Sequence, residues 1–208
     1  MAEARAATGA GDFALPMSAE PVSERLLRVV DRAHPDGRSE AALIRAAQRG
    51  SSDALEELFR RHWRRAHRAA YLVVHDSTAA EDIAQEAFLA AIRALDRFDR
   101  RRPFGPWLHR IAVNRAIDFA RARALRGEQT LAGHAEAEAS ADDAISGELM
   151  SALAELEPEH RAVIVLRYVL EYTPGEIAKI LGLPRGTVNS RLRRGLDRLR
   201  PAVPEERA

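Results

Sequence analysis

Thr78-Ala79-Ala80-Glu81-Asp82-Ile83-Ala84-Gln85-Glu86-Ala87-Phe88 leads, through Arg97-Phe98-Asp99-Arg100-Arg101-Arg102, into Phe104-Gly105-Pro106-Trp107-Leu108-His109-Arg110-Ile111-Ala112-Val113-Asn114 and closes at Asp118. An acidic helical face gives way to a basic loop with one aromatic, then to a helix carrying Trp and Asn among arginines. Thr78 with Glu81 three residues on has the capping-box pattern, which predicts a helix beginning there. That helix turns Ala84, Ala87/Phe88, Ala91 and Leu95 inward at helical spacing. Pro103 and Pro106 predict that the next helix starts no earlier than about Trp107. It runs to about Arg123, with Trp107/Leu108, Ile111, Ala112 and Phe119 inward. Upstream, Ser39 to Gly50 reads as a short helix, with Leu43, Ile44 and Ala47 inward and Gly50 as its stop. A longer helix from Asp53 places Leu55, Leu58/Phe59, His62, Ala66, Ala70 and Val73 on one face.

Outward in the other direction, residues 127–147 hold Gly, Ala and acids without period, the pattern of a linker. A second helical domain follows over 148–202. Leu149, Leu153 and Leu156 form a stripe, and Pro158 opens a helix with Val163, Leu166 and Val169/Leu170. Thr173-Pro174-Gly175-Glu176 is a second capping box, with proline at the first helical position. Gly182 stops that helix, Leu183-Pro184 turns the chain, and Val188, Leu192, Leu196 and Leu199 give the last helix its buried edge. Residues 1–38 read as a disordered N-terminal extension, with a regulator-docking segment as the other reading, and 203–208 as a tail. The fold class is all-α: two small helical domains joined by a flexible acidic linker.

Composition narrows the function. Of 208 residues, 46 % are hydrophobic but only 5 % aromatic, and the apolar ones are mostly Ala and Leu, which favours helix. The net charge of +1 hides segregation. Residues 93–126 carry ten arginines against three acids, 127–148 six acids and no Lys or Arg, and 185–200 six arginines against Asp197. Two basic blocks flanking an acidic connector predict polyanion contact at two places. The absence of cysteine excludes disulfides and thiolate metal sites. With no secretory signal and no apolar run near the ~20 residues that span a bilayer, the expected protein is soluble and cytoplasmic, without membrane insertion. Enzyme readings find little support. His62 and His67 do not share a helix face as a metal pair would, His109 and His160 have no ligand partner at the right spacing, and phosphate-cradling loops and nucleophile elbows are missing. Neither a cofactor nor a metal is called for.

From Glu176 to Arg194 the pattern is that of a helix-turn-helix, which places its second helix in a major groove. Arg185, Thr187, Asn189, Ser190, Arg191, Arg193 and Arg194 are the candidate DNA contacts. Arginine can bind guanine through two hydrogen bonds, Asn can read adenine, and Ser, Thr and further Arg hold phosphates. A solvated amphipathic helix is the competing reading. The motif also resembles the DNA-binding ends of response regulators, so by itself it names a DNA reader and no more. In the first domain, Phe98 with Arg100 and Arg101, and Trp107 with Arg110, Asn114 and Arg115, suit capture of unstacked strand. Stacking on an aromatic contributes ~1–3 kcal/mol per base against the few kcal/mol that unstacking costs. Trp107 also reads as core, and Phe98 is open between the two roles.

The two motifs together resemble sigma factors of the sigma-70 family, extracytoplasmic-function type: residues 39–126 are similar to region 2 and 148–202 to region 4. The resemblance implies that Asp82, Gln85 and Glu86, with Phe88 packing behind them, bind core RNA polymerase. It implies that a flipped base of the −10 promoter element sits near Phe98 and Asn114, and that the last helix reads the −35 duplex of promoter DNA. The acidic linker takes the place of a connector threaded toward the RNA exit channel, and an anti-sigma factor is the expected regulator. Some features depart from the pattern. Gly175 and Gly195 each sit within a helix, at up to ~1 kcal/mol relative to Ala, and the Asp99–Arg102 loop is unusually basic. The rivals are a response-regulator-like activator, which needs an α/β receiver, and a helical protein-interaction module.

Overall fold

A computed structural model describes residues 38–127 and 147–200; the expectations for the two ends and for most of the linker fall outside them. Among the described residues there are eight α-helices and no strand. They are α1 Glu40–Ala47, α2 Ser52–Val74, α3 Ser77–Ala94, α4 Phe104–Leu125, α5 Gly147–Ala154, α6 Pro158–Tyr168, α7 Pro174–Leu181 and α8 Arg185–Leu199. A short 3-10 turn, Leu95–Arg97, leaves α3.

Local chemistry sets most of the ends. Ser39 and Ser51 accept from the backbone N–H of Ala42 and Ala54 and so start α1 and α2. The cap of α3 differs from expectation: Asp76 accepts from Ala79 N–H, and Thr78 lies inside the first turn. An aspartate two residues upstream offers a charged acceptor at the positive helix end and outcompetes the threonine. Helix α4 begins at Phe104, three residues before the expected start, with Pro103 as its N-cap. Pro106 then falls in the first turn, where backbone N–H groups have no partner within the helix, so its missing donor does no harm. The Thr173 capping box forms as expected, and Gly182 closes α7 in the left-handed region at φ 66°.

Within the unit that starts at Arg38, two apolar clusters form. One gathers Leu43 and Ile44 of α1, Leu58 of α2, Phe88 of α3, and Phe98, Phe104 and Leu108 around the α3–α4 connection. The other crosses from the first lobe to the second, joining Val73, Ile83, Val113 and Ile117 to Leu153, Val163, Leu166, Ile177 and Val188. Each lobe alone has only a modest core, and docking them adds apolar burial. Buried Arg161 ties the seam: its guanidinium donates to the carbonyls of Val73 at 2.5 Å, Ala154 at 2.7 Å and Leu156 at 2.7 Å. Val73 lies in the last turn of α2, where carbonyls lack helical partners and a cation is favoured. His109 Nδ1 shares a 2.7 Å hydrogen bond with the Tyr172 hydroxyl across the same seam.

Gly195 departs from a standard helical residue for a packing reason. A Cβ there would meet Ile164 Cγ1 at 3.0 Å, so the glycine lets α8 lie close on α6. Leu196, expected inward, is 40 % exposed, while its neighbour Gly195 is buried. Nothing lies near Gly175.

Candidate nucleic-acid interfaces

Three surfaces emerge from this frame. On α3, Asp82, Gln85 and Glu86 are all exposed on one side, while Phe88 is buried behind them. The acidic row runs on into Leu89 and Ile92, 51 % and 44 % exposed, one turn and two turns further along. Phe59 of α2, expected inward, is instead exposed and lies over Phe88 and Trp63, with ring centroids 4.8 and 4.7 Å away. Sequence reading missed Leu89, Ile92 and Phe59. The signal existed for Leu89, which falls well outside the inward stripe of Ala84, Ala87/Phe88, Ala91 and Leu95; Ile92, four residues after Phe88 and three before Leu95, sits at its edge.

The second surface is the loop after α3 with the outer side of α4. Asp99 organises the loop: its side chain accepts from Arg101 N–H at 3.0 Å and its carbonyl from Arg102 N–H at 2.9 Å. Arg100 and Arg101 are exposed and make no ion pair among the described residues. Phe98 does not stand free in the loop. It is buried, 4.5 Å from the Trp107 ring and edge-on to Phe104 at 5.9 Å. Of the two roles the sequence left open for Phe98, the structure has it packed in the core: the loop curls back and an apolar ring among charges is buried. Trp107 is half-buried on top of it, and Arg110, Asn114 and Arg115 continue from Trp107 along the outer side of α4. Arg115 is bound to Glu86 of α3, so one residue from each of two expected sites pairs with the other. The opposite side of α4, with His109, Val113 and Ala116, is buried.

The third surface is α8. Pro184 caps it without a side-chain acceptor, which leaves free N–H groups at a positive helix end, a place that favours phosphate. Arg185, Asn189, Arg193 and Arg194 are exposed, and these arginines have no acidic partner among the described residues. Thr187, Ser190 and Arg191 are half-buried along a groove shared with Glu157, Glu159 and His160 of α6 and its N-cap. Burial pushes the Glu159 carboxyl up. The hydrogen bond from Arg121 and the charges of Arg121 and Arg191 outweigh it and hold the group below its ordinary range. Glu159 thus stays anionic, bound to Arg121 of α4.

Fold and surfaces together define a two-lobed, all-helical DNA-binding protein, with a helix-turn-helix in one lobe and an aromatic-arginine surface in the other. Residues 58–126 match the model of Sigma-70 region 2, and residues 146–199 that of Sigma-70, region 4. The chain is 32 % identical over 173 residues to the ECF RNA polymerase sigma factor SigW of Bacillus subtilis, covering 76 % of this chain and 92 % of that protein. To SigM of Mycobacterium tuberculosis it is 36 % identical over 165 residues, covering 78 % and 83 %. The structure of CnrH of Cupriavidus metallidurans in complex with the cytosolic domain of CnrY superimposes with a TM-score of 0.58 at 30 % identity, covering 78 % of this chain and 95 % of that one. The chain belongs to the sigma-70 family of RNA polymerase sigma factors, within the extracytoplasmic-function group. It is an alternative sigma factor, a transcription initiation factor that directs polymerase to specific promoters.

Proposed function

We propose that the three surfaces divide the work of initiation. The α3 row of Asp82, Gln85 and Glu86, extended by Leu89 and Ile92, binds core RNA polymerase. Helix α8 enters the major groove of the −35 element, with Arg185, Asn189 and Arg193 at base edges or phosphates and Thr187, Ser190, Arg191 and Arg194 flanking them. Arg100 and Arg101 of the loop, with Trp107, Arg110, Asn114 and Arg115, take the −10 element and its separated strand. Phe98 supports the Trp107 ring from beneath. The observation that carries this reading is a pair of exposed arginine sets, Arg100, Arg101 and Arg110 on one lobe and Arg185, Arg193 and Arg194 on the other, which make no ion pair among the described residues and sit beside groups that can contact bases. The acidic and apolar α3 stripe meets the α4 surface at the Glu86–Arg115 ion pair. A chain of this kind performs no chemistry of its own, needs no cofactor and works in the cytoplasm. Among the described residues no helix is long and apolar enough to cross a membrane. CnrH is seen in complex with the cytosolic domain of CnrY, and an anti-sigma factor is the proposed regulator of this chain.

Run-off transcription with purified core polymerase on fragmented genomic DNA tests the reading. New, discrete start sites are expected only when this protein is added, and aligning them yields both promoter elements. Arg193→Ala is expected to weaken promoter binding about tenfold or more and to relax preference at one −35 position if it reads a base. If it holds a phosphate, binding weakens uniformly and the log–log salt slope falls by about 0.9. Failure of the protein to bind core polymerase overturns the assignment of the α3 stripe.

A further inference from the structure

Helix α1 lies before the stretch that matches region 2, yet it makes three polar contacts with the ends of the Asp99–Arg102 loop. The Gln48 amide, just past the end of α1, donates to the carbonyl of Leu95 at 2.9 Å and to that of Phe98 at 3.2 Å. Glu40, in the first turn of α1, accepts from Phe104 N–H at 2.8 Å. Pro103 has no side chain able to cap α4, so a carboxylate 64 residues away in sequence does that work. The second oxygen of Glu40 meets His62 Nε2 at 3.0 Å, which fixes the carboxylate against α2. That hydrogen bond, aided by Phe104 N–H and by the charges of His62 and Arg61, holds Glu40 below its ordinary range against the effect of burial. It remains an acceptor throughout the neutral range. Between the two tethered ends, among the described residues, the loop is shaped by Asp99, through its turn and its ion pair with Arg102. Its position relative to Trp107 is therefore set from outside.

We propose that Glu40 and Gln48 are positioning residues for −10 recognition: they hold both ends of the Asp99–Arg102 loop and so set which base the loop accepts. The proposal rests on the reading of that loop as the −10 reader. The test uses full-length protein, core polymerase and a promoter found by the run-off assay, with its −10 positions randomised. Gln48→Leu and Glu40→Ala are expected to lower discrimination between −10 bases about five- to tenfold, the scale of one or two lost hydrogen bonds. Affinity for core polymerase should stay unchanged. Glu40→Gln keeps an acceptor for Phe104 N–H and is expected to restore most of the discrimination. An Arg100→Ala/Arg101→Ala double variant runs beside them. If it shifts the base profile and the α1 variants do not, the positioning role is overturned while the loop reading stands. If the α1 variants lose activity equally on every base, along with thermal stability, their role is structural and the proposal again fails. If the double variant leaves the profile untouched, the loop reading and the proposal fall together.

Discussion

The two surfaces proposed to face DNA are built in opposite ways. Around α8 the construction is local: Thr173 and Glu176 cap α7 three residues apart, Gly182 turns the chain, and α8 starts at once. Around the Asp99–Arg102 loop, the proposed −10 reader, it is tertiary: Gln48, Glu40, His62, Phe98, Phe104 and Trp107 arrive from four separate stretches of chain. A local device fixes the shape of a reading helix but leaves its placement to packing. A tertiary device fixes placement, and any of several distant changes can disturb it. The α8 surface should accordingly tolerate changes elsewhere in the chain, and the −10 surface should not.

The hardest way to break the comparison is to cut the tie between the lobes. Arg161 is 5 % exposed and satisfies three carbonyls, one of them across the seam. Arg161→Met keeps bulk, removes every donor and strands those carbonyls, so a loss of about 3–5 kcal/mol in denaturant unfolding is expected. A loss under ~1 kcal/mol shows the lobes to be held by apolar contact alone, with the two surfaces more independent than described.

Acid offers a milder break at the same seam. Burial, then the charges of Arg161 and Arg123, push the His75 imidazole down to about 4. Burial, then the charges of His62 and Arg65, push His109 down to about 3, against the opposing pull of Glu40. The Tyr172 hydroxyl bonded to His109 is pushed above its usual range, first by burial. Both histidines are neutral when folded and titrate near 6.5 when unfolded, so as pH falls the unfolded chain takes up protons first. Their stabilisation is complete above about 6.5 and drains away below it, at roughly 1 kcal/mol per pH unit from each group. Denaturant unfolding at pH 7, 6 and 5 reads this slope. His109→Gln should remove one share of it, and an unchanged slope means that His109 is solvated in the folded state.

How far each surface was legible in the sequence follows the same division. The α7–α8 turn was readable because capping box, proline and glycine act within a few residues; period also gave Arg185, Asn189, Arg193 and Arg194 as outward, but not the half-burial of Thr187, Ser190 and Arg191 against α6 or the exposure of Leu196. The helices of the first lobe were readable for the same reason, apart from the N-terminal ends that Asp76 and Pro103 moved. Phe98 was not, because a ring in a charged loop is buried or free according to residues Gln48 and Trp107, whose proximity no spacing reveals. Gly195 looked like a penalty because its reason is Ile164, thirty-one positions away in the chain. Nor did any pattern show that the lobes share a core, since Val73 and Val163 serve an inward stripe equally well alone or together.

The smallest predicted effect tests the local side directly. Thr173 Oγ1 accepts from Glu176 N–H at 3.4 Å, while the Glu176 carboxylate accepts from Thr173 N–H at 2.8 Å and is held below its ordinary range chiefly by the threonine side chain. Thr173→Ala removes one half of that exchange on an exposed helix end, so about 1 kcal/mol of stability is the expected loss. Because Tyr172 precedes it and meets His109 of α4, the change sits one residue from the seam and still should not cross it. Discrimination at −10 is expected to stay native while −35 affinity falls by a few-fold, through fraying of α7 beneath the reading helix. If −10 discrimination moves as well, the cap is transmitting through Tyr172, and the two surfaces are not the separate constructions that their hydrogen bonds describe.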